Sequence, residues 1–346
     1  MAGRQGKYLN HCGPLYPWFG EARAYREYPH PLPMMYPSSV AKSSEPLPTG
    51  TTGQILDVSR RHVSLLTMEG ILSGTIASRA LDVVTGDRVV YEKRDGKVFV
   101  TDVVPSTRTL SRSYRGALKR MGANIDLLLV ITAVGPTLNP ATIDRMLIAA
   151  RVQNIPVVLV VNKWDLEKGE SADFLEVYRK IGITVVPCSA KFGQDFADVQ
   201  SLIHAPDVSV VALCGVSGVG KSTILNRLVP GAAARTGEVS ERTGQGRQTT
   251  SQPRGFLYSD FDSCRRIIVD FPGVGFFGLS HLEKDKVVAA FDEFVEYGQR
   301  CRFLNCRHLQ EPSCAVREAI ENGDIASWRY HSYLQILDEI EEAREY

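Results

Sequence analysis

Two groups of residues in this chain have the types and spacing to hold a nucleotide. The first is Gly215-Val216-Ser217-Gly218-Val219-Gly220-Lys221-Ser222, a Gly-x4-Gly-Lys-Ser loop. Its glycines let backbone N–H groups wrap phosphate oxygens, and a helix opening at its end adds a positive pole. Lys221 would then reach the β- and γ-phosphates, Ser222 would ligate Mg²⁺, and Thr223 would stay within the site. The second group is Asn162-Lys163-Trp164-Asp165. The Asp165 carboxylate can accept from N1–H and the 2-amino group of guanine, and adenine offers neither pattern. A buried carboxylate left unpaired is costly, so the discrimination is steep. Asn162 would brace the loop, and Lys163 would cover the base.

Three further stretches complete the set. Ser189-Ala190-Lys191 fits a supporting loop whose Ala190 amide meets guanine O6. In Asp270-Phe271-Pro272-Gly273, Asp270 would hold Mg²⁺ through water and the Gly273 amide would sense the γ-phosphate. Thr249 and Thr250 lie in a Gly/Arg-rich stretch from Arg235 to Arg254. One of them, with Thr250 favoured, is the expected Mg²⁺-contacting threonine of a switch that orders on GTP. Val274 stands where many GTPases carry a water-orienting glutamine, so catalysis needs another group or a partner. All parts of a guanine-nucleotide site are present, but in rotated order: the base-reading motif precedes the phosphate loop. The expected ligands are GTP or GDP with Mg²⁺.

A separate cluster has the spacing of a metal site. Cys301-x4-Cys306-x-His308-x5-Cys314 offers three thiolates and one imidazole. That donor set matches a closed tetrahedral structural Zn²⁺ site with no position left for catalysis. No Cys-x-x-Cys is present, which disfavours a redox disulfide. The other four of the seven cysteines, Cys12, Cys188, Cys214 and Cys264, are scattered and read as buried free thiols. An odd count without a secretory signal argues for a reducing compartment.

The elements that must position these groups follow from periodicity. Strands and helices alternate from Asn124 onward. The strands are Ile125 to Ala133, Val157 to Val161, Ile183 to Val186, Val208 to Cys214 and Arg266 to Val269. Asn139-Pro140 caps a helix with Ile143, Met146, Leu147 and Ala150 on one face. Helices follow at Ser171 to Lys180, closed by Gly182, and near Asp195 to His204. This is a doubly wound α/β sheet with its ligand loops at the C-terminal ends of its strands. Upstream, Gly50 to Pro105 carries short strands such as Gln54 to Val58, Val63 to Leu66, Val89 to Tyr91 and Val98 to Val104. Asp95-Gly96 between two of them is a hairpin signal, and the segment suits a small barrel such as an OB-fold. Pro105 to Gly122 holds Arg108, Arg112, Arg115, Lys119 and Arg120 and no acid. It reads either as a solvated basic loop or as a phosphate-contacting one. After Gly278 the chain is mostly helical around the cysteine cluster.

Composition sets the outer bounds. The 346 residues suffice for two or three domains with real cores. Apolar content of 44% and charged content of 23% are ordinary for a globular protein. A net charge of +1 excludes a global basic field for nucleic acid, so local charge must carry any such contact. No apolar run reaches the length of a membrane span. Residues 1–49, rich in Pro, Tyr and Gly, read as a disordered extension.

On these residues the chain resembles the circularly permuted, small-subunit-dependent GTPases of the RsgA/YjeQ family. The likeness runs from about Gly50 to the C-terminus. It rests on Gly86-Asp87-Arg88-Val89, Leu138-Asn139-Pro140 with Ile143-Asp144-Arg145, Ser217 to Ser222, and the zinc spacing with Glu311-Pro312-x-Cys314-Ala315-Val316. The resemblance implies an OB-fold barrel (50–105), a basic linker (106–123), a circularly permuted P-loop GTPase domain (124–279) and a helical zinc-binding module (280–346). It implies a late assembly role on the small ribosomal subunit, with rRNA contacts and subunit-stimulated hydrolysis by a monomer. That role places the protein in the bacterial cytoplasm, or in the plastid stroma or mitochondrial matrix of a eukaryote. Two positions depart from the family. Gln248 replaces the usual histidine of Gly-Arg-His-Thr-Thr, and Gly275-Phe276 replaces a charged pair. Gln248 can both accept from and donate to water, which makes it the candidate orienting residue beside Lys221 and Thr250. Two rivals remain at this level: an RNA-binding scaffold that holds GTP with little turnover, and a permuted GTPase of large-subunit assembly.

Overall fold

The computed structural model describes residues 51–106, 108–114, 117–135, 138–169, 171–193, 195–232, 252–259, 265–273 and 277–345, all within the compact unit Glu45–Tyr346. The expected N-terminal extension lies outside the described residues, as do Gln248, Thr249, Thr250 and Val274 to Phe276.

The first five strands close a barrel. They are β1 (Thr51–Ser59), β2 (His62–Thr67), β3 (Gly70–Ile76), β4 (Arg88–Arg94) and β5 (Lys97–Val103). β1, β2 and β3 run as an antiparallel meander, β3 pairs parallel with β5, and β4 joins β5 to β1. This is the OB-fold order. Ile55, Leu65, Val89 and Val100 fill its interior. Asp95 and Gly96 both take positive φ, 50° and 71°, as a two-residue primed turn requires.

The basic stretch is not an irregular loop. It forms a hairpin of β6 (Leu110–Tyr114) and β7 (Ala117–Gly122). Alternating Ser and Arg in β6 hid the strand, because only its end residues, Leu110 and Tyr114, supply an apolar signal. Two of its cations are engaged within the fold: Arg120 with Asp87 at 2.8 Å and Arg108 with Asp126 at 3.4 Å. The barrel's Gly86-Asp87 pair makes this junction. A Cβ on Gly86 would lie 2.2 Å from the Ala123 carbonyl, so only glycine lets the barrel meet the sheet so closely.

The central sheet follows. Its elements are β8 (Leu127–Ala133), α1 (Pro140–Arg151), β9 (Val157–Asn162), α2 (Ala172–Lys180), β10 (Thr184–Pro187), α3 (Phe196–Ile203), β11 (Val210–Cys214), α4 (Lys221–Leu228), β12 (Arg254–Ser259) and β13 (Arg265–Asp270). Strand order is β10-β9-β8-β11-β13-β12, parallel except for β12. β8, β9 and β11 are buried along their whole length, as strands covered by helices on both faces must be. Asn139 caps α1 by accepting from the Thr142 N–H at 3.1 Å, with Pro140 at the first helical position.

Four helices end the chain: α5 (Lys284–Ala289), α6 (Asp292–Gly298), α7 (Ala315–Glu321) and α8 (Ser327–Glu345). Apolar residues of this region, among them Phe294, Tyr333 and Ile336 of the helices and Phe291 just before α6, join the cluster that covers one face of the central sheet. Buried ion pairs cross the same boundary. Arg329 of α8 meets Asp144 of α1 at 2.5 Å and Glu293 of α6 at 2.6 Å. Arg145 pairs with Glu339, whose other oxygen accepts from the Leu279 and Ser280 N–H groups at 2.7 and 3.0 Å. The Ile143-Asp144-Arg145 motif therefore clasps the C-terminal helices onto the sheet.

Candidate nucleotide site and zinc centre

The phosphate loop leaves the buried end of β11 and opens α4. Gly215 lies so close to β8 that a Cβ would sit 2.4 Å from the Ile131 carbonyl. Gly218 and Gly220 take φ of +86° and +90°, conformations open to glycine. The helix begins at Lys221, so its first N–H groups point at the loop.

Asn162, at the end of β9, joins three motifs distant in sequence. Its Nδ2 donates to the Val219 carbonyl at 2.8 Å. Its Oδ1 accepts from the Ala190 N–H at 3.0 Å. The asparagine is 3% exposed, and Gly220 must lack a Cβ because one would lie 2.2 Å from Nδ2. Asp165 sits in a single helical turn, Trp164–Leu166, entered through Lys163 in the left-handed region at φ 59°. The Ser189 hydroxyl donates to Asp165. The Trp164 N–H donates to the Cys188 carbonyl at 3.1 Å, which fixes that turn against the Ser189-Ala190-Lys191 loop.

Lys221 and Asp270 pair at 2.5 Å, mostly buried. Burial pushes the Asp270 carboxyl above its ordinary range, and the Lys221 charge opposes that. Gly273 packs on the phosphate loop: a Cβ there would lie 3.4 Å from the Ser217 nitrogen. Val216, Gly218, Val219 and Ser222 thus fall within one loop-and-helix start, bordered by Asp270 and Gly273 on one side and Asn162 on the other.

One residue of this constellation carried no motif signal. Arg227, two turns into α4, donates through Nε to the Ala190 carbonyl and through Nη2 to the Lys191 carbonyl at 3.2 Å. Only its helical phase relative to Lys221 could have pointed to it.

The zinc spacing also closes in space. Ligand atoms of Cys301, Cys306, His308 and Cys314 all lie within 4.8 Å of one another. Cys301 and Cys314 Sγ are 4.0 Å apart, and His308 Nδ1 lies 3.7 and 3.4 Å from them. A tetrahedron with ~2.3 Å Zn–S bonds has S···S edges of about 3.8 Å, so the donor set fits zinc. Burial pushes the Cys306 thiol up to about 12, with its sulfur neighbours adding to the shift. A dication held there would supply the charge that stabilises thiolates instead. Cys188 and Cys214 are buried thiols pushed up to about 12 by desolvation, and are unreactive accordingly. Cys12 and Cys264 lie outside the described residues.

The RsgA GTPase family profile matches residues 103–280. The small ribosomal subunit biogenesis GTPase RsgA of Haemophilus influenzae is 34% identical over 271 residues, 75% of this chain and 76% of that protein. The protein of the same name from Actinobacillus succinogenes is 36% identical over 272 residues, 76% of each. The chain belongs to the RsgA GTPase family. In three dimensions it is similar to YjeQ from Thermotoga maritima, with a TM-score of 0.65 and 25% identity, covering 84% of this chain and 98% of that one. It also shares its fold with YloQ, a circularly permuted GTPase, at a TM-score of 0.60 and 23% identity, covering 84% and 95%. As a member of this family the chain hydrolyses GTP, with Mg²⁺ as the metal that such a site takes. The rotated motif order is a circular permutation, and in this order Asn162 bonds both the phosphate loop and the Ser189-Ala190-Lys191 loop.

Proposed function

We propose that this GTPase acts in late maturation of the small ribosomal subunit, binding rRNA through its barrel and zinc module, with hydrolysis stimulated by the subunit. The observation that carries the site assignment is Asn162 of the base-reading motif, which binds the phosphate loop and the Ser189-Ala190-Lys191 loop at once. Asp165 reads the guanine edge, Lys163 covers the base, and the Ser189-Ala190-Lys191 loop supports it. The Gly215–Thr223 segment and Lys221 hold the phosphates. Ser222 and Asp270, with Thr250 from the switch, would hold Mg²⁺, which supplies charge neutralisation at the phosphates. Lys221 and Asp270 neutralise each other, so nucleotide entry must exchange that pair for phosphate and metal. Gly273, beside Ser217, then senses the γ-phosphate. Cys301, Cys306, His308 and Cys314 hold one structural Zn²⁺.

Family relatives named for small-subunit biogenesis support the partner, and the barrel and basic hairpin supply surfaces for RNA backbone. In a bacterium the site of action is the cytoplasm; no described helix is long and apolar enough to cross a membrane. The test is single-turnover GTP hydrolysis with and without purified small subunits, alongside co-sedimentation in GDP and in a non-hydrolysable GTP analogue. Stimulation by small subunits and nucleotide-dependent co-sedimentation are expected. Equal rates with small subunits, large subunits and buffer would overturn the assignment.

A further inference from the structure

The Ala190 N–H is already engaged by Asn162 Oδ1 at 3.0 Å. The next amide along, that of Lys191, belongs to the peptide plane whose carbonyl is Ala190's. In a trans peptide the C=O and N–H point in opposite directions. Arg227 grips the Ala190 carbonyl with Nε, and the Lys191 carbonyl with Nη2 at 3.2 Å. It therefore fixes two consecutive planes and directs the Lys191 N–H away from α4. The following N–H groups, of Phe192 and Gly193, are both taken by the Ser189 carbonyl at 3.1 and 2.8 Å. Among the described residues, that leaves the Lys191 N–H without an acceptor and held in place by the flanking carbonyls.

The local sequence is shaped around the guanidinium. A Cβ on Gly193, whose φ is +79°, would lie 2.9 Å from Arg227 Nη1. The guanidinium also sits over the Phe196 ring at 5.7 Å. Arg227 stands on the helix that opens with Lys221, so one rigid element carries both the phosphate-binding lysine and the clamp on the base-reading loop.

From this we infer that Arg227 is a positioning residue for guanine recognition: it presents the Lys191 N–H to guanine O6, in place of the Ala190 amide expected from the sequence, with Asp165 reading the rest of the base edge and Asn162 bracing the loop. The inference rests on the assignment of these loops as the base pocket. It predicts a selectivity pattern that a merely structural contact would not produce. GTP and inosine triphosphate both carry O6, whereas 2-aminopurine riboside triphosphate keeps the 2-amino group and lacks O6. Arg227→Ala should weaken GTP and inosine triphosphate alike, by about 3- to 10-fold, the scale of one hydrogen bond. It should leave the 2-aminopurine nucleotide unchanged, and Arg227→Lys, which keeps one donor, should fall between.

Calorimetric titration of the full chain with the three nucleotides tests this. Amide exchange at Lys191 in the GDP complex gives a second readout: slow in the wild type and faster in Arg227→Ala. Equal weakening of all three nucleotides, undiminished GTP affinity, or unchanged Lys191 exchange would overturn the role of Arg227. Asp165→Asn serves as the control for the pocket. If it fails to shift preference toward xanthosine nucleotides, the base-pocket assignment falls and the inference with it. If it shifts preference while Arg227→Ala lacks the pattern, Arg227 alone is overturned.

Discussion

Arg329→Met tests how the C-terminal module is held on the GTPase sheet. Arg329 is 2% exposed and is the cation between two buried carboxylates, Asp144 at 0% and Glu293 at 7%. It makes a two-point contact with Glu293, at 2.6 and 3.1 Å, and one with Asp144 at 2.5 Å. Tyr178 of α2 donates to the same Asp144 oxygen at 3.0 Å. Removing the guanidinium leaves two carboxylates buried together, and breaking a buried pair from one side costs about 3–5 kcal/mol. The converse change is milder. Burial pushes the Asp144 carboxyl up in spite of Arg329, so its charge is expensive to keep. Asp144→Asn keeps an acceptor for Arg329 and Tyr178 and removes one of two negative charges beside one positive charge. Its cost should be near ~1 kcal/mol, one modest hydrogen bond. Trp328, at 5.2 Å from the Phe174 ring and 5.5 Å from that of Tyr178, reports the interface by fluorescence. Urea unfolding of the zinc-loaded chain, followed at Trp328 in a Trp18→Phe, Trp164→Phe background, measures both variants. If Asp144→Asn is as damaging as Arg329→Met, or if Arg329→Met costs under ~1 kcal/mol, the charge argument is wrong.

Three other outcomes are expected. Cys306→Ala should lose zinc and unfold the α6–α7 region while GTP affinity holds, since structural zinc contributes roughly 10–16 kcal/mol in small modules; metal analysis and nucleotide titration check it, and retained stoichiometric zinc would refute it. His281, whose Nδ1 lies 2.9 Å from the Ser113 hydroxyl, has its pKa lowered by burial, with Glu339 opposing. A lowered folded pKa means its stabilising contribution is complete above the unfolded value of about 6.5 and is lost as pH falls through the folded one. Urea midpoints at neutral and mildly acidic pH should therefore drop more in the wild type than in His281→Gln, and parallel drops would exclude His281 as the cause. Gln248→Ala should cut subunit-stimulated hydrolysis at saturating GTP by at least ~10²-fold with affinities nearly unchanged, as for a positioning group; a loss within about twofold would return Gln248 to an ordinary loop role.

The nucleotide chemistry was legible because each part is a contiguous motif whose residue types follow from phosphate or guanine. The parallel strands were legible for a related reason: β8, β9 and β11 are continuous apolar runs, and Asn139-Pro140 starts α1 as its capping chemistry dictates. The hairpin of β6 and β7 was not, since Ser-Arg-Ser carries no apolar alternation and its pairing is completed by packing: a Cβ on Gly122 would meet the Phe271 ring at 2.8 Å. The clasp was equally silent. Asp144 and Arg329 are 185 residues apart, and a lone aspartate on an otherwise apolar helix face does not name its partner. Arg227 escaped for a third reason: it binds carbonyls, which every residue has, so nothing at Ala190 or Lys191 announces it.

These contacts bear on what the permutation could achieve mechanically. In this order the chain leaves Gly273, the proposed γ-phosphate sensor, and enters the C-terminal module within a few residues. The exit segment is bonded on two sides. Gly278 accepts from the Ser113 N–H of β6 at 2.8 Å, and the Leu279 and Ser280 N–H groups are held by Glu339 of α8. Gly278 has no room for a Cβ, which would sit 2.6 Å from the Ser113 carbonyl. On its other side the hairpin is tied by Arg120 to Asp87 of the barrel. A displacement at Asp270–Gly273 would therefore load the barrel-side hairpin and the C-terminal helices together. Packed interfaces of this kind move between discrete arrangements more readily than they deform. In the unpermuted order a base-reading strand would follow the sensor, and the same displacement would be spent inside the GTPase sheet. On the proposed reading, cutting the circle after Gly273 would make the switch the linker between the two flanking modules, with Glu339 bonding the exit segment to α8.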